Sequence, residues 1–152
     1  MLWEIRVLRI KKRKKGSVKN AKSIGYGAIK YAILKVSPEK NVLFNWDSAL
    51  NFEGESAPYM QYAHARACSI LRKSKPKKSN LSLLKTDSEI SLIKKLGEFP
   101  EVINNAVNSL RPSVICSYLF ELAKDFTAFY HNCPVIRAEK ELKESRLSLV
   151  LA

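Results

Sequence analysis

The sequence predicts an all-α protein, a helical bundle preceded by a short helical and irregular connecting region. Three observations predict it. Apolar residues recur at helical spacing, most clearly as the stripe Ile115, Tyr118, Leu119, Leu122, Phe126 and Phe129. Helix start and stop signals (Pro58, Gly97, Pro100, Pro112, Pro134) punctuate the chain at short intervals. Strand-like alternation is confined to Val42, Phe44 and Trp46, and no αβ alternation develops.

In chain order, residues 1–20 read as a basic N-terminal arm, carrying most of the run "KKRKKGSVKNAK". Two readings of the arm stay open: a solvated tail, or a tail that contacts phosphates. Residues 21–55 read as a connecting segment. A helix is expected from about 24 to 36, stopped at Ser37–Pro38. Val42, Phe44 and Trp46 suggest a short extended piece, and Asp47 is placed to cap a turn before Gly54. Residues 56–152 read as a helical domain. Its first helix runs from about 57 to 73 with Pro58 in the first turn. "KSKPKKSNLS" is a polar linker. Thr86 and Glu89 then form a T-x-x-E capping box for a helix ending near Gly97. Pro100 opens a helix with Val102, Ile103, Ala106, Val107 and Leu110 on one face. Pro112 opens the longest helix, to about Tyr130, and "RAEKELKESRLSLVLA" supplies the last. Short connections between such helices make a bundle.

Composition narrows the function classes. Hydrophobic residues make up 46% of the 152, enough for a core. The formal charge of +13 favours polyanionic partners, nucleic acid first and an anionic membrane surface second. No run of about 18 apolar residues is present, so no membrane-spanning segment is expected. "MLWEIRVLRI" does not read as a signal peptide, because its basic run follows the apolar part. Cys68, Cys116 and Cys133 are odd in number and match no metal spacing, and they read as reduced thiols of a cytoplasmic protein. No CxxC, HExxH, GxGxxG or P-loop occurs, and Asp47, Glu53 and Glu55 do not form a catalytic carboxylate pair.

The 57–73 helix carries the most chemistry. At 100° per residue, Met60, Ala63, Ala67 and Leu71 share one face and pack. Tyr59, Tyr62, Arg66 and Lys73 share the adjacent face. Two rings and two cations on one strip suit single-stranded nucleic acid, with bases on rings and cations on phosphates. The alternative is that both tyrosines flank the core with their hydroxyls in water. His64 reads as a structural histidine, and Gln61 has no evident partner. Tyr118 falls within the apolar stripe and reads as core, with Cys116 and Phe120 off that stripe. Tyr130 and His131 end the long helix where a partner can reach their rings.

Taken together, these motifs resemble one family. "GAIKYAILKVSPEKNVLFNWDSALNFEGESAPYMQYAHARACSILRK" is similar to the part of arginyl-tRNA synthetases, class I enzymes, that joins the catalytic and anticodon-binding domains. The pattern G-A-x-K-Y, F-x-W-D, F-x-G-x-x-x-P-Y-x-Q-Y-x-x-x-R-x-x-S-I is filled at every fixed position from Gly27 to Ile70. "YLFELAKDFTAFYHNCPVIRAE" and "SRLSL" resemble the helical, DALR-type anticodon-binding domain of the same family. The resemblance covers about residues 21–152. It implies recognition of tRNA(Arg), and by position it carries tRNA contact onto Tyr59, Gln61, Tyr62, Arg66 and Tyr118.

The departures shape the expected function. The family activates arginine with ATP and magnesium on a domain bearing H-I-G-H-like and K-M-S-K-S-like motifs, and neither motif occurs in these residues. No cofactor is therefore expected on this chain, and arginine activation by it alone is not expected. The family continues beyond "SRLSL" through another helix, whereas this chain stops at Ala152, so it reads as a fragment, a truncated paralogue or a split gene product. Three functions follow: a tRNA(Arg)-binding module, a subunit acting in trans with a separate catalytic domain, or a helical protein-interaction module. The last rests on Leu142, Leu147 and Val150 lacking part of their cover.

Overall fold

The structure, a computed structural model, describes residues 16–77 and 80–152. Most of the basic arm, residues 1–15, lies outside them. Seven α-helices and one 3₁₀ turn are present among the described residues, with no strand.

Helix α1 spans Gly16–Leu34, starting inside the basic run and eight residues before the expected start at 24. These added residues carry no apolar stripe, so periodicity does not mark them. Ala28 and Tyr31 are its buried residues. Gly27 marks close approach of a neighbour: a Cβ there would sit 2.5 Å from Gln61 Nε2. The expected extended piece at 42–46 is instead irregular backbone leading into a short helix, α2, Trp46–Ala49. Its cap is Asn45, not Asp47: the Asn45 carboxamide accepts the Ser48 N–H at 3.0 Å. Asp47 falls inside the first turn, two residues past the cap position.

Helix α3 spans Ala57–Lys73, as the sequence predicts. Ser56 caps it, accepting the Tyr59 N–H while donating to the Asn51 carbonyl. The chain then passes a 3₁₀ turn, Leu81–Leu83, and enters α4, Asp87–Gly97. The capping box is complete. Thr86 Oγ1 accepts the Glu89 N–H, and Glu89 Oε2 accepts the Thr86 N–H at 2.9 Å. Helix α5, Phe99–Ser109, follows after one residue and ends in Leu110 at φ 55°. That left-handed position usually holds glycine. The face predicted on α5 is covered only in part, because Ala106 is buried while Val107 and Leu110 are exposed.

Helix α6, Pro112–Asn132, is the centre of the bundle and lies against α1, α3, α4 and α5. It is consequently buried on more than one side. Cys116, off the predicted stripe, is buried against Tyr31 and Ala57, while Leu119, on the stripe, is exposed. Helix α7, Lys140–Leu151, packs on α3 and the 3₁₀ turn. Its Leu147 is 0% exposed, contrary to the expected gap in its cover, and Leu142 and Val150 pack on the same core. The main core gathers Ala63, Ile70, Leu92, Phe126, Phe129 and Leu147 from α3, α4, α6 and α7. Each large side chain buried there contributes about 1.5–3 kcal/mol.

One ion pair is inside this core. Arg146 Nε meets Glu89 Oε1 at 2.6 Å, both side chains being almost fully buried. Arg146 Nη1 also donates to the Pro134 carbonyl at 3.0 Å. Burial pushes the Glu89 carboxyl up, but hydrogen bonds from Thr86 and Arg146 outweigh it and hold the group below the usual carboxylate range. The cap of α4, the turn after α6 and helix α7 are thereby tied together.

Candidate nucleic-acid interface

The packing face of α3 is as expected: Ala63 is buried, and Met60, Ala67 and Leu71 pack on the core. The adjacent face is the exposed one. Tyr62 is 47% exposed, and its hydroxyl accepts from Arg66 Nη2 at 2.9 Å. The Arg66 guanidinium carbon lies 4.6 Å from the Tyr62 ring centroid and 4.2 Å from that of Tyr130, on α6. One cation therefore holds two half-exposed rings, a cation–π arrangement that fixes both at the surface.

Beside this cluster is an open cavity of about 330 Å³, with Arg66, Ser69, Lys73, Tyr130 and Arg137 in its lining. Pro134 ends α6, and the turn that follows brings Arg137 to the cavity. The cavity is of the size that takes one small ligand. Its cations provide attraction for an anion, and the Tyr130 ring provides a flat apolar face. That combination suits a nucleotide: phosphate on cations, base on a ring.

The six predicted site residues do not all meet there. Arg66 and Lys73 line the cavity, and Tyr62 adjoins it through Arg66. Tyr59 is half-buried, with its ring on Phe120 at 5.6 Å and its hydroxyl 3.5 Å from Thr127 Oγ1. Gln61 points into the α1–α3 interface, donating to the Ser23 carbonyl at 3.2 Å, with its oxygen buried and unpartnered. Tyr118 is 6% exposed, its hydroxyl donating to the Lys95 carbonyl at 2.9 Å and its ring 5.7 Å from Phe99. That is the core placement its position in the stripe predicts. Tyr130 is noted in the sequence only as a reachable ring, and Arg137 gives no signal. Their contact with α3 is tertiary, and no local spacing encodes it.

Other chemistry is sparse. His64 Nε2 is 3.5 Å from Cys68 Sγ on the exposed side of α3. Burial, then the Glu55 charge, raise the Cys116 thiol. Burial and Glu55 also raise the Tyr31 phenol well above its ordinary range, so neither group is an acid or base near neutrality. Among the described residues no three His, Cys, Asp or Glu groups are placed to hold a metal ion. No described helix is long and apolar enough to cross a membrane.

Comparison with known proteins identifies the family. The DALR anticodon binding domain family matches residues 60–152. The arginine–tRNA ligase of Methanocella arvoryzae is 49% identical over 132 residues, covering 87% of this chain and 23% of that protein. The arginine–tRNA ligase of Pyrococcus furiosus is 47% identical over 142 residues, again 87% and 23%. Among solved structures, Thermus thermophilus arginyl-tRNA synthetase superposes with a TM-score of 0.85 at 35% identity, covering 96% of this chain and 27% of that one. The Plasmodium falciparum enzyme gives 0.77 at 28% identity, covering 98% and 27%. The chain thus spans about a quarter of the length of these relatives. It belongs to the DALR anticodon-binding domain family and is homologous to the C-terminal part of arginyl-tRNA synthetase.

Proposed function

We propose that this chain binds tRNA(Arg) at its anticodon region and serves arginyl-tRNA formation as the recognition module. The observation that carries the proposal is the Tyr62–Arg66–Tyr130 cluster, two half-exposed rings on one guanidinium beside a basic cavity. The relatives' names supply the nucleic acid, and the chain's +13 charge supplies the long-range attraction. In this reading residues 56–152 are the recognition domain, residues 21–55 are the stem that carries it, and the setting is the cytoplasm. Binding of this kind uses no cofactor on the chain. Gln61 and Tyr118 then act through support: Gln61 by docking α1, Tyr118 by anchoring α6 to the end of α4. Tyr59 holds the Phe120 side of the same helix pair. The test is binding of a tRNA(Arg) transcript and an anticodon-loop variant to wild type, Tyr62→Ala and Arg66→Ala. Loss of discrimination in the two variants supports the proposal, and equal affinity of wild type for both RNAs overturns it.

A second reading has its own observation. Val42, Leu43, Phe44, Trp46 and Phe52 in the stem are all exposed, Leu43 at 96%. An apolar surface of this kind is a protein-docking surface. A catalytic domain or subunit covering it is the occupant this reading favours, since about three quarters of the relatives' length lies outside the match. ATP–pyrophosphate exchange with and without a catalytic fragment of a relative tests it, and absence of exchange in both counts against a trans-acting role.

A further inference from the structure

We infer that a second basic groove, between the C-terminal end of α3 and the start of α7, is a track for the sugar–phosphate backbone of the RNA held at the Tyr62–Arg66–Tyr130 cluster. The inference rests on the RNA-binding role proposed above. The groove is a cavity of about 590 Å³ with Lys75, Lys77, Lys140 and Lys143 in its lining. It adjoins the first cavity, because Ile136 lines both. A strand leaving the ring cluster past Lys73 and Arg137 enters this groove directly.

Three features argue for an anion track rather than a random charged patch. None of the four lysines is in an ion pair among the described residues. The one carboxylate in the lining, Glu144, has one oxygen taken up by the groove wall: its Oε2 accepts the Lys77 backbone N–H at 2.7 Å. The irregular segment that carries Lys75 and Lys77 is also pinned to α7. Ser145 Oγ accepts the Asn80 N–H at 3.2 Å and donates to the Asn80 carbonyl at 2.8 Å. The two walls are therefore tied together by hydrogen bonds at Lys77 and Asn80, and all four lysines line the groove between them. The lining has no exposed aromatic ring, unlike the first cavity, so it suits phosphates and not bases.

The test is the variant K75Q/K77Q/K140Q/K143Q, checked by circular dichroism for unchanged helicity and titrated with a tRNA(Arg) transcript across a salt series. Each lost phosphate contact lowers the slope of log affinity against log salt by about 0.7–0.9, so the slope falls by about three. Affinity at low salt falls at least about tenfold, while preference over an anticodon-loop variant is retained. An unchanged slope in a variant that folds, with Tyr62→Ala still weakening binding, overturns the groove and leaves the anticodon-binding role standing. Failure of wild type to bind the transcript overturns that role instead, and the groove with it. Loss of binding to phosphatidylserine vesicles with RNA affinity unchanged also overturns the inference, because the groove then serves a lipid surface.

Discussion

Arg146→Met is the substitution expected to cost the fold most. Arg146 is almost buried and donates to two groups, Glu89 Oε1 at 2.6 Å and the Pro134 carbonyl at 3.0 Å. Methionine fills much of the volume but removes the charge. Glu89 stays where the α4 cap needs it, accepting from the Lys85 and Thr86 N–H groups. A buried carboxylate without its cation costs about 3–5 kcal/mol. Total stability of a domain this size is about 5–15 kcal/mol, so the loss is a large share. The effect depends on pH. The Glu89 carboxyl is held below the usual range in the fold, so it stabilises above its unfolded value of about 4.3 and ceases to as pH falls through the lower folded value. Without Arg146, burial raises the Glu89 carboxyl in the variant, so the gap narrows as pH falls through that raised value and is smallest once Glu89 is protonated in both folds. Adding Glu89→Gln to the variant recovers most of the loss, since the charge is gone and an acceptor for the cap remains. Urea unfolding followed by circular dichroism at several pH values measures all of this. A neutral-pH loss under about 1 kcal/mol, or a gap independent of pH, refutes the argument.

Three further outcomes follow from the same geometry. Tyr62→Ala lowers RNA affinity by about 1–3 kcal/mol through loss of a stacking ring, with unfolding by urea nearly unchanged because the side chain is half-exposed; filter binding and the urea curve check the two halves. Gly25→Ala in α1 stabilises by about 0.5–1 kcal/mol because a Cβ there meets nothing, while Gly27→Ala gives less or none because its Cβ displaces the Gln61 amide; paired urea curves check the ranking. A thiol reagent titrates one cysteine rapidly in the native protein, half-exposed Cys68, and three after denaturation, since Cys116 and Cys133 are buried; the absorbance burst counts them.

Features with local signals were legible in the sequence. The bounds of α3 and the Thr86–Glu89 box follow from residues within one turn, and both are where the sequence puts them. The start of α1 was not, because its first turns, GSVKNAK, have neither an apolar stripe nor strong helix formers throughout to mark them. Burial of Cys116 and exposure of Leu119 depend on how many helices surround α6, which periodicity in one helix does not encode. The same limit applies to the site. Tyr62 and Arg66 are one turn apart and were visible on a helical wheel. Tyr130 reaches Arg66 from another helix, and Arg146 reaches Glu89 across 57 residues. Pairings at such separations exist only in the fold.

In the function proposed above, this surface recognises tRNA(Arg). Filter binding of a tRNA(Arg) transcript and a non-cognate tRNA, each at two salt concentrations, tests it most directly. Tighter binding of the cognate RNA is expected at both, with both affinities weakening as salt rises. Equal affinity for the two RNAs at both salt concentrations contradicts it.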